Sequence, residues 1–162
     1  MSRFRAPVRR SGDGFVVDVG TDEATLISRL AGELRMLLSE EPDDPAAQAL
    51  LARLFPAAYP DDDELEAEYQ RLMREELVAS KLAALAVVEQ TMEAGSRRRL
   101  DEGELTAFMQ SINSVRLVLG TMLGVNDDPD TDEVVAGLED SPEYALYGYL
   151  SWLLEHCVRA LS

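Results

Sequence analysis

The sequence predicts a mainly α protein, a helical bundle of about five helices with a short N-terminal β-hairpin. Three observations predict it. Apolar residues recur at three- and four-residue spacing through most of the chain, one stripe per helix. Capping residues and prolines punctuate those stripes where helices should begin and end. Strand-like runs occur only near the start, on either side of an Asp-Gly turn. At 162 residues the chain reads as one domain, with residues 1–20 as a hairpin arm and 21–162 as the bundle.

The hairpin comes from Phe4–Val8 and Phe15–Val19, which flank Ser11-Gly12-Asp13-Gly14. Pro7 confines the first run to an edge. Two strands are not stable alone, so the hairpin must pack on something else.

The first helix is expected from about Asp22, with Thr21 as its cap and Asp22 and Glu23 at the positive end of its dipole. Leu26, Ile27, Leu30, Leu34, Leu37 and Leu38 form its apolar stripe. Glu41-Pro42-Asp43-Asp44-Pro45 ends it, and Asp44 and Pro45 suit the cap and first turn of a second helix through Leu54.

The next stretch reads Arg53-Leu54-Phe55-Pro56-Ala57-Ala58-Tyr59-Pro60-Asp61-Asp62-Asp63-Glu64. Each proline disfavours helix in the residue before it, so the chain must turn here. Asp61 and Glu64 have the spacing of a capping box, and Asp62 and Asp63 then fall in a first turn that favours negative charge. Helix capping therefore explains these acids without a metal, and successive carboxylates on a helix point apart. Leu65, Tyr69, Leu72, Met73, Leu77, Leu85, Val88 and Met92 continue one face to about Gly95.

A further helix spans Asp101 to Leu123, with Leu105, Phe108, Met109, Ile112, Val115 and Leu119 in register and Gly124 closing it. An acidic connector follows, and its pattern allows a short helix at Asp132 to Leu138. The last helix starts at Ser141-Pro142-Glu143. Tyr144, Tyr147, Leu150, Leu154, Val158 and Leu161 line one face; Trp152 and Leu153 widen it, which predicts a central helix.

Candidate sites are few. Asp128, Asp130 and Asp132 match calcium-loop positions 1, 3 and 5, with Glu139 at position 12. Glu133 stands where that loop needs glycine, so an acidic loop running into a helix start is the simpler reading; a calcium- or metal-responsive module at 128–139 is the alternative. His156 and Cys157 point about 100° apart on a helix and cannot act as base and nucleophile. Arg116 lies among apolar residues and needs a partner, which a structural ion pair would supply. Gly12-Asp13-Gly14 lacks the further glycine of a nucleotide loop, and no Ser-His-Asp or His-Glu-x-x-His pattern occurs. The sequence argues against an enzyme and assigns no catalytic, cofactor-binding or metal-binding residue.

Charge restricts the partners. The net charge is −16, and all 31 acidic residues lie after Arg3, Arg5, Arg9 and Arg10. Apart from that arm and Arg97-Arg98-Arg99, nothing offers a basic footprint, so direct nucleic-acid contact is not expected. No apolar run is long enough for a membrane span, the start has no secretory pattern, and one cysteine excludes an internal disulfide; a cytoplasmic protein is expected. An acidic body fits a basic protein partner.

Three stretches carry a resemblance: Arg53–Tyr59 with its aspartates, Arg116-Leu117-Val118-Leu119-Gly120-Thr121, and Tyr149-Leu150-Ser151-Trp152-Leu153. Together they resemble an actinobacterial family of small cytosolic proteins of unknown function. Its genes lie near the gene for the ClpS protease adaptor, and it is linked to regulation of the oxidative-stress response. The resemblance implies a regulator acting through a protein partner, such as a sigma factor or other transcription component, and no catalytic residues. A thiol–disulfide switch within one chain needs two cysteines, and this sequence has one. The expected function is therefore a non-enzymatic regulatory or adaptor protein. The expected contact residues are Arg53, Tyr59, Asp61, Asp62, Asp63 and Arg116, and self-association stays open.

Overall fold

The computed structural model describes residues 6–39, 44–124 and 141–162. Among them are an antiparallel hairpin, β1 (Val8–Ser11) and β2 (Gly14–Val17), and five helices. These are α1 (Thr21–Ser39), α2 (Pro45–Leu54), α3 (Asp63–Ala94), α4 (Glu102–Leu123) and α5 (Pro142–Leu161). The acidic connector, its short helix and the calcium-like stretch 128–139 lie outside the described residues, as does Phe4.

The hairpin is tighter than expected and starts later. Val8 pairs with Val17 and Ser11 with Gly14, so only Gly12 and Asp13 form the turn. Gly12 has φ +62° and Asp13, like every other described non-glycine residue, has negative φ, the sign pattern of a type II′ turn. Pro7 precedes β1, and its carbonyl accepts a hydrogen bond from Asp18 N at 2.7 Å. The hairpin finds its support at Leu100: Phe15 N donates to Leu100 O at 2.8 Å, and Leu100 N donates back to Phe15 O at 2.7 Å. Val8, Phe15 and Val17 are buried beneath it.

Each described helix after α1 starts on a side-chain cap. Asp44 accepts from Ala46 N at 3.2 Å with Pro45 in the first turn, and Ser141 accepts from Tyr144 N at 3.0 Å ahead of Pro142. Asp101 and Glu104 form a reciprocal capping box, at 2.7 and 3.1 Å, and Gly124 closes α4 at φ +76°. α1 itself begins at Thr21, so Thr21 is its first residue rather than its cap.

The start of α3 corrects the expected capping box. The cap is Asp62, which accepts from Leu65 N at 3.1 Å, not Asp61. Asp62 N is already bonded to Tyr59 O at 3.2 Å, closing a turn over Pro60 and Asp61. That turn holds Asp61 outside the helix and leaves Glu64 in the first turn, without a box.

The core lies where α4 meets its neighbours. Leu105, Phe108, Ile112, Val115 and Leu119 of α4 are buried with Ile27, Ala31 and Leu34 of α1, Leu85 and Val88 of α3, and Leu150, Leu153 and Cys157 of α5. Fully burying one such large side chain contributes roughly 1.5–3 kcal/mol, against about 1 kcal/mol for a cap, so packing sets the arrangement and caps set the boundaries.

α4 is thus the central helix, which corrects the expectation for α5. α5 packs on α4 and β1, leaving Trp152 and Val158 exposed. Its buried face is Leu146, Leu150, Leu153 and Cys157: Leu150 of the predicted stripe and Leu153 beside it are buried, Tyr147, Leu154 and Leu161 pack half-buried at the edge, and Val158 is exposed. An apolar helix offers both stripes; contact with α4 selects one. At this crossing a Cβ on Gly120 would lie 2.8 Å from Tyr147 Cε2, so glycine permits the approach.

Candidate functional site

The expected contact residues fall into two places. Tyr59, Asp61, Asp62 and Asp63 gather at the start of α3. Arg53 and Arg116 belong to a separate region between α2, α3 and α4.

α3 has 32 residues, a length of roughly 48 Å at 1.5 Å per residue, yet its buried residues are Leu85, Val88 and Thr91 alone. The predicted apolar face fails in the first half: Leu65 is 47% exposed and Leu72 61% exposed. Among the described residues only the turn through Tyr59 is seen to pack on that end, and Leu65 and Leu72 stay exposed. Tyr59, 44% exposed, packs edge-to-face on Tyr69 with ring centres 6.0 Å apart. Glu66 ties the preceding turn to the helix by accepting from Tyr59 N at 2.8 Å and from Gln70 Nε2 at 2.7 Å. Those bonds, chiefly the one from Tyr59 N, hold the Glu66 carboxyl below its usual pKa. The result is a firm tip: Leu65, Tyr69 and Leu72 share one face, the exposed Asp61, Asp62, Asp63 and Glu64 open the helix, and Glu68 pairs with Arg71 at 3.7 Å.

In the second region Phe55 is buried, with the Arg74 guanidinium 4.2 Å and the Lys81 ammonium 5.7 Å from its ring centre. Beside it opens a cleft of about 370 Å³, whose lining includes Arg53, Leu54, Pro56, Lys81, Asn113 and Ser114. Lys81 donates to Ser114 Oγ at 3.4 Å, and burial pushes its pKa down. Asn113 Oδ1 accepts from Arg116 Nη2 at 2.9 Å, and Arg116 Nη1 donates to Ser151 Oγ at 3.4 Å.

The ion pair expected for Arg116 is not formed among the described residues. Amide, hydroxyl and the Tyr147 ring, 5.8 Å away, surround it instead, and its buried Nε is unpartnered. Of the stretches that carry the resemblance, the first lines the cleft with Arg53 and Pro56 and the second with Leu117, while Arg116 reaches from Asn113 to Ser151 of the third, outside the cleft.

Sequence reasoning missed Lys81, although it is the chain's only lysine, set among Ala79, Leu82, Ala83 and Leu85. It also missed Glu66, whose partner is a backbone group and leaves no mark in side-chain spacing.

Other groups are structural. Cys157 is fully buried, and burial pushes its thiol up to about 12. His156 stacks edge-to-face on Trp152 at 4.8 Å. The basic cluster of the α3–α4 turn is tied inward: Arg98 pairs with Glu104 and donates to Thr91 Oγ1 at 3.1 Å. Among the described residues no group of three His, Cys, Asp or Glu could hold a metal ion, and no helix is long and apolar enough to cross a membrane.

Comparison with known proteins gives a consistent picture. The sequence is 29% identical to a protein of Mycobacterium leprae, over 93% of this chain and 84% of that one, named for oxidative stress regulation as AosR. It is 24% identical to the oxidative stress regulator AosR of Mycobacterium tuberculosis H37Rv, over 98% of this chain and 87% of that one. The AosR of Mycobacterium bovis gives the same figures, 24% identity over 98% of this chain and 87% of the relative. No solved structure gives a significant match. The profile of DUF2017, a domain of unknown function, matches residues 1–161, and the chain belongs to that family.

Proposed function

We propose that the protein is a non-enzymatic cytoplasmic regulator that acts by binding another protein, with the projecting start of α3 as its docking surface. The observation that carries the reading is that Leu65 and Leu72 are exposed on one face of α3, beside the half-buried Tyr69 and next to the run of carboxylates that opens the helix. Apolar anchors with an acidic rim suit a partner that presents apolar residues among lysines and arginines. Glu66 and Tyr69 hold the tip in one shape before binding, which lowers the ordering cost of association. The names of the mycobacterial relatives support a regulatory role in oxidative stress. A sigma factor or another transcription component is the kind of basic partner that fits. The single buried Cys157 gives no support to a thiol switch within one chain.

The test compares wild type with an Asp61→Lys/Asp62→Lys/Asp63→Lys variant as bait in native lysate. Wild type should retain a stoichiometric basic protein that the folded variant loses. Equal retention by both would overturn the docking surface.

A further inference from the structure

We propose that the cleft between α2, α3 and α4 binds a small organic anion, a phosphate or carboxylate on an apolar body, through Lys81 and Arg53. The cleft is distinct from the acidic tip, since none of Tyr59 and Asp61 to Asp63 lines it.

The first argument is charge. The chain has 31 acidic residues against 15 basic ones, yet no acid lines this cleft, and two cations do. Among the described residues neither Lys81 nor Arg53 has a carboxylate partner. A half-buried ammonium without a counter-ion is costly to hold, and an ordinary structural lysine would be paired or reach solvent. Lys81 instead donates to a neutral hydroxyl at 3.4 Å and lies 5.7 Å from the Phe55 ring centre, contacts that still leave it without a counter-ion.

The second argument is the donor set. Ser80 and Ser111 line the same cleft; Ser114 lines it too, but its hydroxyl already donates to Gln110 O at 3.3 Å. Asn113 joins them with its Oδ1 committed to Arg116 at 2.9 Å, which leaves its NH2 to donate. Arg116 thereby acts as a positioning residue: it fixes which way the amide faces. An oxyanion with several lone pairs matches such a set, whereas a cation or a neutral apolar ligand does not.

The third argument is size and shape. About 370 Å³ is at the small end of ligand pockets, and Leu34, Leu54, Pro56, Ala84 and Leu117 supply apolar walls beside the polar group. Bare phosphate would leave those walls unused.

Lys81 being the only lysine makes the test direct. Selective 13C-lysine labelling gives one Cε signal in the folded protein. It is titrated with phenyl phosphate, benzoate and inorganic phosphate, with sodium chloride balancing ionic strength. A saturable shift with phenyl phosphate or benzoate is expected, weaker with inorganic phosphate; the stronger of the first two identifies the head group. The same probe should raise the melting temperature of wild type. Lys81→Met, which keeps the apolar stem, should fold and bind at least roughly tenfold more weakly, as should Arg53→Ala. A Lys81 signal that moves no more than with sodium chloride would overturn the proposal, as would a folded Lys81→Met protein stabilised as much as wild type.

Discussion

The Glu66 carboxylate accepts a hydrogen bond from the Tyr59 backbone at 2.8 Å, seven residues back and across Pro60. This bond, rather than a capping box, fixes the turn that leads into α3. Its pH dependence follows from the lowered Glu66 pKa. A group with a depressed folded pKa contributes fully above its unfolded value, and the contribution is lost as pH falls through the folded value. NMR titration should show Glu66 ionising below the usual glutamate range, with the Tyr59 amide exchanging faster once it protonates. Glu66→Gln should abolish that pH dependence while leaving the core intact.

Gly120 permits the close crossing of α4 and α5. A Cβ there would meet Tyr147 at 2.8 Å, so Gly120→Ala forces a shift of a half-buried ring packed on the core. The expected loss is about 1–3 kcal/mol in urea unfolding, despite the gain in helix propensity. Gly148, around which no atom lies within 4 Å, is the control: Gly148→Ala should be neutral or slightly stabilising.

Cys157 should be inert in the native protein. Burial raises its pKa from 9.0 to about 12, so neutral pH yields negligible thiolate and no access. An exposed-thiol reagent should label it only at the rate of unfolding. Above about pH 9 the unfolded chain gives up this proton and the folded one keeps it. Stability should therefore fall as pH rises through the window from 9.0 to about 12, and Cys157→Ala should remove that part of the slope.

Arg98 holds the α3–α4 turn by reaching Thr91, the Val87 carbonyl and Glu104 at once. Arg98→Met should cost about 1–3 kcal/mol, because buried Thr91 Oγ1 and the Glu104 carboxylate each lose a charged donor, while the Val87 carbonyl keeps the bond from Thr91. Glu104 keeps its capping bond to Asp101, so helix content by circular dichroism should stay unchanged.

Much of this was legible in the sequence. Asp44-Pro45, Asp101–Glu104, Ser141-Pro142 and Gly124 mark helix ends because capping is local, and a cap and its partner lie within a few residues. The hairpin was legible as a turn, but its register was not, since the pairing depends on where Leu100 docks. What failed depended on neighbours. The apolar stripe through Leu65 and Leu72 has the same spacing as the buried one through Leu85 and Val88; only the length of the bundle separates them. α5 carries two usable faces, and α4 chooses between them. Arg53 and Arg116 were picked out of motif stretches, but their relation to Lys81 and Asn113 needed the α2–α3–α4 packing.

The central claim is that the acidic start of α3 docks a basic protein, and zero-length carbodiimide crosslinking of the captured complex tests it most directly. With one lysine in the chain, lysine-to-lysine reagents have almost nothing to attach to here. A carbodiimide instead joins this protein's carboxylates to partner lysines. The account predicts crosslinks concentrated on Asp61, Asp62, Asp63, Glu64 and Glu68, and lost when Leu72 is changed to Ser. Crosslinks concentrated on α1 or α5, with those five carboxylates unmodified, would contradict it.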